Sequence, residues 1–246
     1  MASDFGGRYL DLDKALYHAQ EMVEQGVDIL DIGGESTRPG YQKVSEAEEI
    51  ERVAPVLEKL KARFDVPLSI DTYKTKVAEA AIKAGADLVN DIWGLKAQNG
   101  LAELIAHSGV SCCLMHNRDE SNYSDFLSEV EEDLRQSLSL AEQAGIIKDR
   151  IILDPGIGFG KTFQQNLIML NNLHRLGGLG YPVLLGASRK SVIGLALDLP
   201  AAERLEGTLA TTVMAVMQGC GFVRVHDVKE NKRAAAMALA VRESGR

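Results

Sequence analysis

The sequence is most informative at first through what it lacks. No uninterrupted apolar run approaches the ~20 residues needed to span a bilayer, so no transmembrane helix is expected. The N-terminus, Met1-Ala2-Ser3-Asp4-Phe5, shows no basic-then-apolar leader pattern. Positive charge is in deficit: 27 Lys and Arg face 35 Asp and Glu, a formal net charge of −8. A nucleic-acid binder needs a basic surface, so that partner class is excluded. Only three cysteines occur, Cys112, Cys113 and Cys220, all in apolar segments without metal-ligand spacing. They read as reduced thiols of a cytoplasmic protein.

What is present is a regular alternation. Residues 13–25 carry a helical apolar face ending at Gly26, and Val27–Ile32 follows as a strand. Ser45 and Glu48 suggest a capping box for a helix over 46–63, with a kink at Pro55. Further strands are read at Val66–Ile70, Asp87–Asn90, Val110–Met115, Arg150–Leu153, Tyr181–Leu185 and Phe222–Val225. Helices are read at 74–84, 100–107, up to Ala144, 163–176, within 189–219 and at 229–243. Apolar strands alternating with helices imply a parallel sheet buried on both faces. A chain of 246 residues has the length of a TIM (β/α)8 barrel, read here as a single domain. Seven strands are read rather than eight, spaced by about 32 residues, the length of one β–α unit. The eighth would fall before Met1, so the expected barrel lacks its first strand.

Polar residues gather at the strand ends: Asp31 and Glu35, Asp71, Asn90 and Asp91, His116 and Asn117, Asp154, Ser188 to Lys190, and Arg224 to Asp227. In a parallel barrel these ends form one rim, where active sites lie. Asp71, Asn90 and Asp154 suit a flat, donor-rich heterocycle. Arg38, Lys190, Arg224 and His226 suit phosphate or pyrophosphate. Asp91 and Asp227 are read as helix caps or supporting partners. The run Gly156-Ile-Gly-Phe-Gly-Lys161-Thr162 resembles a phosphate loop, but Pro155 stands where the first glycine of that pattern belongs. It reads as a tight strand-to-helix connection.

Seven ordered stretches carry a specific resemblance. They are Asp31-Ile-Gly-Gly-Glu-Ser-Thr-Arg-Pro-Gly40, Ser69-Ile-Asp-Thr-Tyr-Lys74, Asn90-Asp-Ile-Trp-Gly94, Leu114-Met-His-Asn117, Leu153-Asp-Pro-Gly-Ile-Gly-Phe159, Gly186-Ala-Ser-Arg-Lys-Ser191 and Arg224-Val-His-Asp227. From about Gly6 onward the chain resembles the dihydropteroate synthase family of pterin-binding enzymes. That resemblance implies condensation of 6-hydroxymethyl-7,8-dihydropterin pyrophosphate with p-aminobenzoate, with Mg2+ as cofactor and a homodimer through the C-terminal helices. It implies pterin contacts from Asp71, Asn90, Ile92, Met115, Asp154, Phe159, Gly186, Lys190 and Arg224. Thr37, Arg38, Pro39, Phe159, Lys190 and Ser191 would form the p-aminobenzoate site. Arg38, Arg224 and His226 would hold pyrophosphate, and Asp71, Lys190, Arg224 and His226 would be catalytic. No protein ligand for a metal is assigned. The family's first strand and its magnesium-contacting asparagine have no counterpart here, so an abbreviated synthase is expected. The alternatives are a methyltetrahydrofolate-type methyltransferase, for which a pyrophosphate site would have no use, and a non-catalytic pterin-binding fragment.

Overall fold

The computed structural model describes residues 12–35 and 43–244. Among the described residues seven short strands alternate with helices: β1 (Leu30–Ile32), β2 (Leu68–Asp71), β3 (Leu88–Asp91), β4 (Ser111–Met115), β5 (Ile151–Asp154), β6 (Leu184–Leu185) and β7 (Phe222–Val223). β1 to β5 pair in sequence order, all in parallel, and β6 pairs with β7. A parallel bridge, Leu153 to Val183, joins the two sets. The strands therefore follow one another around an arc, as the β–α alternation requires.

The helices are α1 (Leu12–Glu24), α2 (Glu46–Arg63), α3 (Thr75–Lys83), α4 (Leu101–Ser108) and α5 (Phe126–Ala144), followed by α6 (Phe163–Asn171), α7 (Leu173–Gly177), α8 (Ser191–Leu197), α9 (Leu205–Met217) and α10 (Val228–Glu243). The helix expected over 163–176 is two helices, broken at Asn172, whose backbone leaves the helical region at φ −129° and ψ 28°. Its side-chain amide donates back to Ile168 O at 2.8 Å, closing the end of α6. Helix α2 runs from Glu46 to Arg63 with Pro55 inside it. Only half of the expected capping box forms there. Ser45 Oγ accepts from Glu48 N at 3.2 Å, while the Glu48 carboxylate is taken by Arg52. A full box instead opens α6, where Thr162 and Gln165 exchange both bonds.

Strand parity divides the core into two layers, because alternate residues point to opposite faces. The larger layer packs strand residues such as Leu30, Ile70, Val89, Cys112, Leu114 and Leu153 against the helices. The smaller fills the barrel interior with Leu88, Cys113, Ile152 and Leu184, against which Ile29 and Phe222 pack. Adjacent Cys112 and Cys113 thus belong to different layers. Burial raises both thiols, Cys112 to about 12, so neither is a reactive thiolate.

Among the described residues no ladder joins β7 back to β1. A slot of about 250 Å³ lies along this seam, lined in part by Val27, Ile29, Phe222, Val225 and Val228. Charged groups cross it at both ends. At the bottom Lys232 reaches Gly26 O and lies 3.0 Å from Asp28. At the rim Arg224, just past β7, pairs with Asp31 in β1. Among the described residues the arc holds seven strands in the order expected of a parallel barrel.

Candidate active site

Parity also builds the rim. Two residues beyond the interior layer, each strand points inward again, now at its carboxyl end. Ile29 is followed by Asp31, Ser69 by Asp71, Leu88 by Asn90, Cys113 by Met115, Ile152 by Asp154, Leu184 by Gly186 and Phe222 by Arg224. The register steps as it goes round. Asp71 is level with Asn90, Asn90 with Cys113, and Met115 with Asp154. An apolar floor therefore carries a polar mouth, and seven strands each contribute one group to it.

The centre of this mouth is a guanidinium between two carboxylates. Arg224 Nε donates to Asp31 Oδ2 and Nη2 to Asp71 Oδ2, both at 2.7 Å. Asp31 and Asp71 are buried, and the second oxygen of each, Oδ1, has no partner among the described residues. A buried acceptor of this kind costs free energy until a donor meets it, which marks the place for a ligand N–H. Burial pushes Asp71 up to about 7, against the pull of Arg224 and with the repulsion of Asp31 added.

The opposite wall is Asp154 with Lys190. Burial raises Asp154, and Lys190 opposes that shift; burial lowers Lys190 to about 8. Asp154 Oδ1 accepts from Gly156 N at 2.7 Å. Lys190 Nζ donates to Ile157 O at 2.6 Å and lies 4.8 Å from the centre of the Phe159 ring. Gly186 stands between these groups. A Cβ there would lie 3.6 Å from Asp154 Oδ2, 3.8 Å from Lys190 Nζ and 3.9 Å from Arg224 Cβ. Its lack of a side chain leaves the space between these groups unfilled. Met115 and Ile92 add buried apolar surface at the ends of β4 and β3.

The other expected residues fall in three ways. Ser191 is exposed in the first turn of α8, next to Lys190. His226 turns Nδ1 toward Ser188 Oγ at 2.9 Å, so Ser188 orients its ring. Thr37, Arg38 and Pro39 lie outside the described residues. Asp91 accepts from Trp93 N at 2.8 Å and Leu95 N at 2.6 Å, a turn-closing role. Asp227 holds Arg189 through both of its oxygens. Two contributions escaped sequence reasoning: the Asp31 side of the Arg224 pair, and Ser188 as partner of His226. Both sat among the rim residues, but nothing in the sequence paired positions 193 and 38 apart.

The glycine run at 156–160 begins tightly packed against backbone. Gly156 has φ +67°, and a Cβ there would lie 1.9 Å from His116 O. Gly156→Ala is therefore expected to cost more than about 2 kcal/mol of stability and to weaken ligand binding by displacing Asp154. Chemical denaturation checks the first effect and calorimetry with a pterin the second.

A profile of the family described as "Pterin binding enzyme" matches residues 3–226. The dihydropteroate synthase of Clostridium beijerinckii is 58% identical, over 94% of this chain and 87% of that protein. This chain belongs to the dihydropteroate synthase family. The Bacillus subtilis dihydropteroate synthase is 52% identical, over 98% of this chain and 84% of its own. Among solved structures, the Clostridium difficile dihydropteroate synthase with pteroic acid superimposes with a TM-score of 0.93 at 50% identity, covering 96% of this chain and 90% of that one. The Xanthomonas albilineans dihydropteroate synthase with 4-aminobenzoic acid gives 0.91 at 41% identity, covering 98% and 89%. A likeness of this extent supports the barrel and the pterin-binding class together.

Proposed function

We propose that the chain condenses 6-hydroxymethyl-7,8-dihydropterin pyrophosphate with p-aminobenzoate, giving 7,8-dihydropteroate and pyrophosphate. The observation that carries this reading is the pair of buried carboxylates, Asp31 and Asp71, each with an unpartnered oxygen beside Arg224, with Asp154 and Lys190 gathered close by around Gly186. A pterin is flat and presents N–H donors along one edge. The unpartnered Asp71 Oδ1 and the carboxylate of Asp154 accept from that edge, Asn90 adds an amide, and Lys190 donates. Ile92, Met115 and Phe159 face the ring.

Departure of pyrophosphate leaves positive charge on the pterin. Asp71 and Asp31 supply fixed negative charge beside it. Arg224 uses Nε and Nη2 on these carboxylates, and its Nη1 carries no hydrogen bond among the described residues. That leaves Nη1, with His226 and Arg38, to receive the anion. The p-aminobenzoate nitrogen attacks as a free aniline, so no strong general base is required. Its site is assigned to Thr37, Arg38, Pro39, Phe159, Lys190 and Ser191.

Among the described residues no three His, Cys, Asp or Glu side chains gather into a metal cage. The magnesium expected from the family would then be held by the oxygens of the pyrophosphate. A homodimer through the C-terminal helices is supported by apolar side chains left exposed on α9 and α10, including Met214, Met217, Met237 and Val241. No helix among the described residues is long and apolar enough to cross a membrane.

The test is direct. Incubation with both substrates and magnesium is expected to yield dihydropteroate and pyrophosphate in equal amounts, read by chromatography and a phosphate assay. Turnover of methyltetrahydrofolate alone, with no pyrophosphate released, would overturn the reading.

A further inference from the structure

Lys161, which the sequence places in the phosphate-loop look-alike, folds back onto its own loop and the end of β4. Its Nζ lies 2.7 Å from His116 Nδ1 and 3.0 Å from both Gly156 O and Phe159 O. Burial lowers Lys161 to about 7, and in its ammonium form it has three N–H donors, all of which these three acceptors use. The histidine is itself held from behind. His116 is fully buried, and its Nε2 lies 3.0 Å from Asp133 Oδ2. Arg118 Nε binds the same oxygen at 2.6 Å, which keeps Asp133 an anion. A carboxylate at Nε2 requires a proton on that nitrogen. A lysine at Nδ1 requires a lone pair there. With Lys161 as the ammonium, only the neutral Nε2–H tautomer satisfies both neighbours, and burial, with the Lys161 charge adding to it, holds His116 in its neutral form.

The chain of contacts ends on a ligand wall. The carbonyls gripped by Lys161 flank Ile157, whose own carbonyl binds Lys190, and one of them belongs to Phe159, beneath the Lys190 ammonium. Gly156, at the start of the loop, donates to Asp154. The far end is fixed too. Tyr123 donates to Gly160 O at 2.8 Å, and Asn166 accepts from Gly158 N at 2.7 Å. Asp154, Phe159 and Lys190 all depend on where this loop sits.

We infer that Lys161, oriented by His116 and Asp133, is a positioning residue that sets the 156–161 loop and through it the pterin wall formed by Asp154, Phe159 and Lys190. It touches no substrate. The inference rests on the pterin reading of the slot for its kinetic consequence, though not for its structural one. A residue that only places a binding wall alters affinity more than chemistry. Lys161→Met is expected to raise KM for dihydropterin pyrophosphate about 10-fold while kcat changes by less than about 3-fold. His116→Leu, which removes the acceptor, is expected to match it. His116→Asn puts an amide oxygen near the Nδ1 position and is expected to keep KM within about 3-fold of the parent.

Amide hydrogen exchange over residues 156–161 reads the same change without substrate. Exchange should be faster in Lys161→Met and His116→Leu and near the parent rate in His116→Asn. Unchanged KM and unchanged exchange in Lys161→Met would overturn the inference. So would His116→Asn behaving like His116→Leu, or a loss confined to kcat. An inactive parent chain would count against the proposed reaction alone, because the exchange measurement still decides the role of Lys161.

Discussion

Arg224→Met is expected to destabilise the protein by about 3–5 kcal/mol and to abolish measurable turnover. The change removes the single cation that two buried carboxylates share. Neither Asp31 nor Asp71 can regain that partner from water, since the side chains are 0% and 7% exposed. The cost depends on pH with a definite sign. Burial raises Asp71 in the folded protein above its ordinary value, and removal of Arg224 raises it further. The folded state then binds more protons than the unfolded one, so stability falls as pH rises from about 4 through 7 and beyond. Urea unfolding at pH 5.5 and pH 8 should therefore show the larger loss at pH 8. A loss below about 1 kcal/mol at both would mean that the pair is not what holds these carboxylates.

The second large effect is on chemistry with the fold preserved. Asp71→Asn keeps the shape and leaves an oxygen for Arg224, but it removes the negative charge beside the developing pterin cation. A drop of about 10²–10³-fold in kcat/KM is expected, the range seen when one preorganised electrostatic group is lost. The pH profile carries the same assignment. Asp71 must be ionised to accept from the pterin, and Lys190 must be protonated to donate to it. The parent kcat/KM should rise through about pH 7 and fall through about pH 8. In Asp71→Asn the rising limb should vanish while the falling limb stays. Activity within about threefold of the parent, with an unchanged profile, would remove Asp71 from the mechanism.

The rim was legible in the sequence because its polar residues follow strand parity. Asp71, Asn90, Asp154 and Arg224 each stand at the end of an apolar run, and a parallel barrel brings all such ends to one rim. Helix 46–63 was readable to the residue because Ser45 caps it and the apolar period is clean. The failures are equally physical. Asn172 breaks the 163–176 helix by a side-chain bond to the preceding turn, which periodicity does not register. Glu48 left its capping box for Arg52, an exposed choice between two partners of similar worth. Lys161 read as a loop lysine because its three acceptors lie on the loop itself and on a strand end 45 residues earlier. His226 and Ser188 meet only because β6 and β7 are neighbours. Contacts between distant strands depend on register, and register was not written in any local pattern.

The crossing at Arg224 has one more consequence. A closed barrel is a hoop whose backbone bonds carry the load around the full circumference. Among the described residues this hoop is open at one arc, and its upper clasp is the same guanidinium that stands at the proposed pterin site. On the proposed reaction, fastening and catalysis draw on one side chain. Whatever loads Arg224 with an anion, or Asp71 with a proton or a ligand N–H, also changes the grip between the first and last strands. Occupancy of the slot and tightness of the hoop are, in this protein, two readings of a single electrostatic balance.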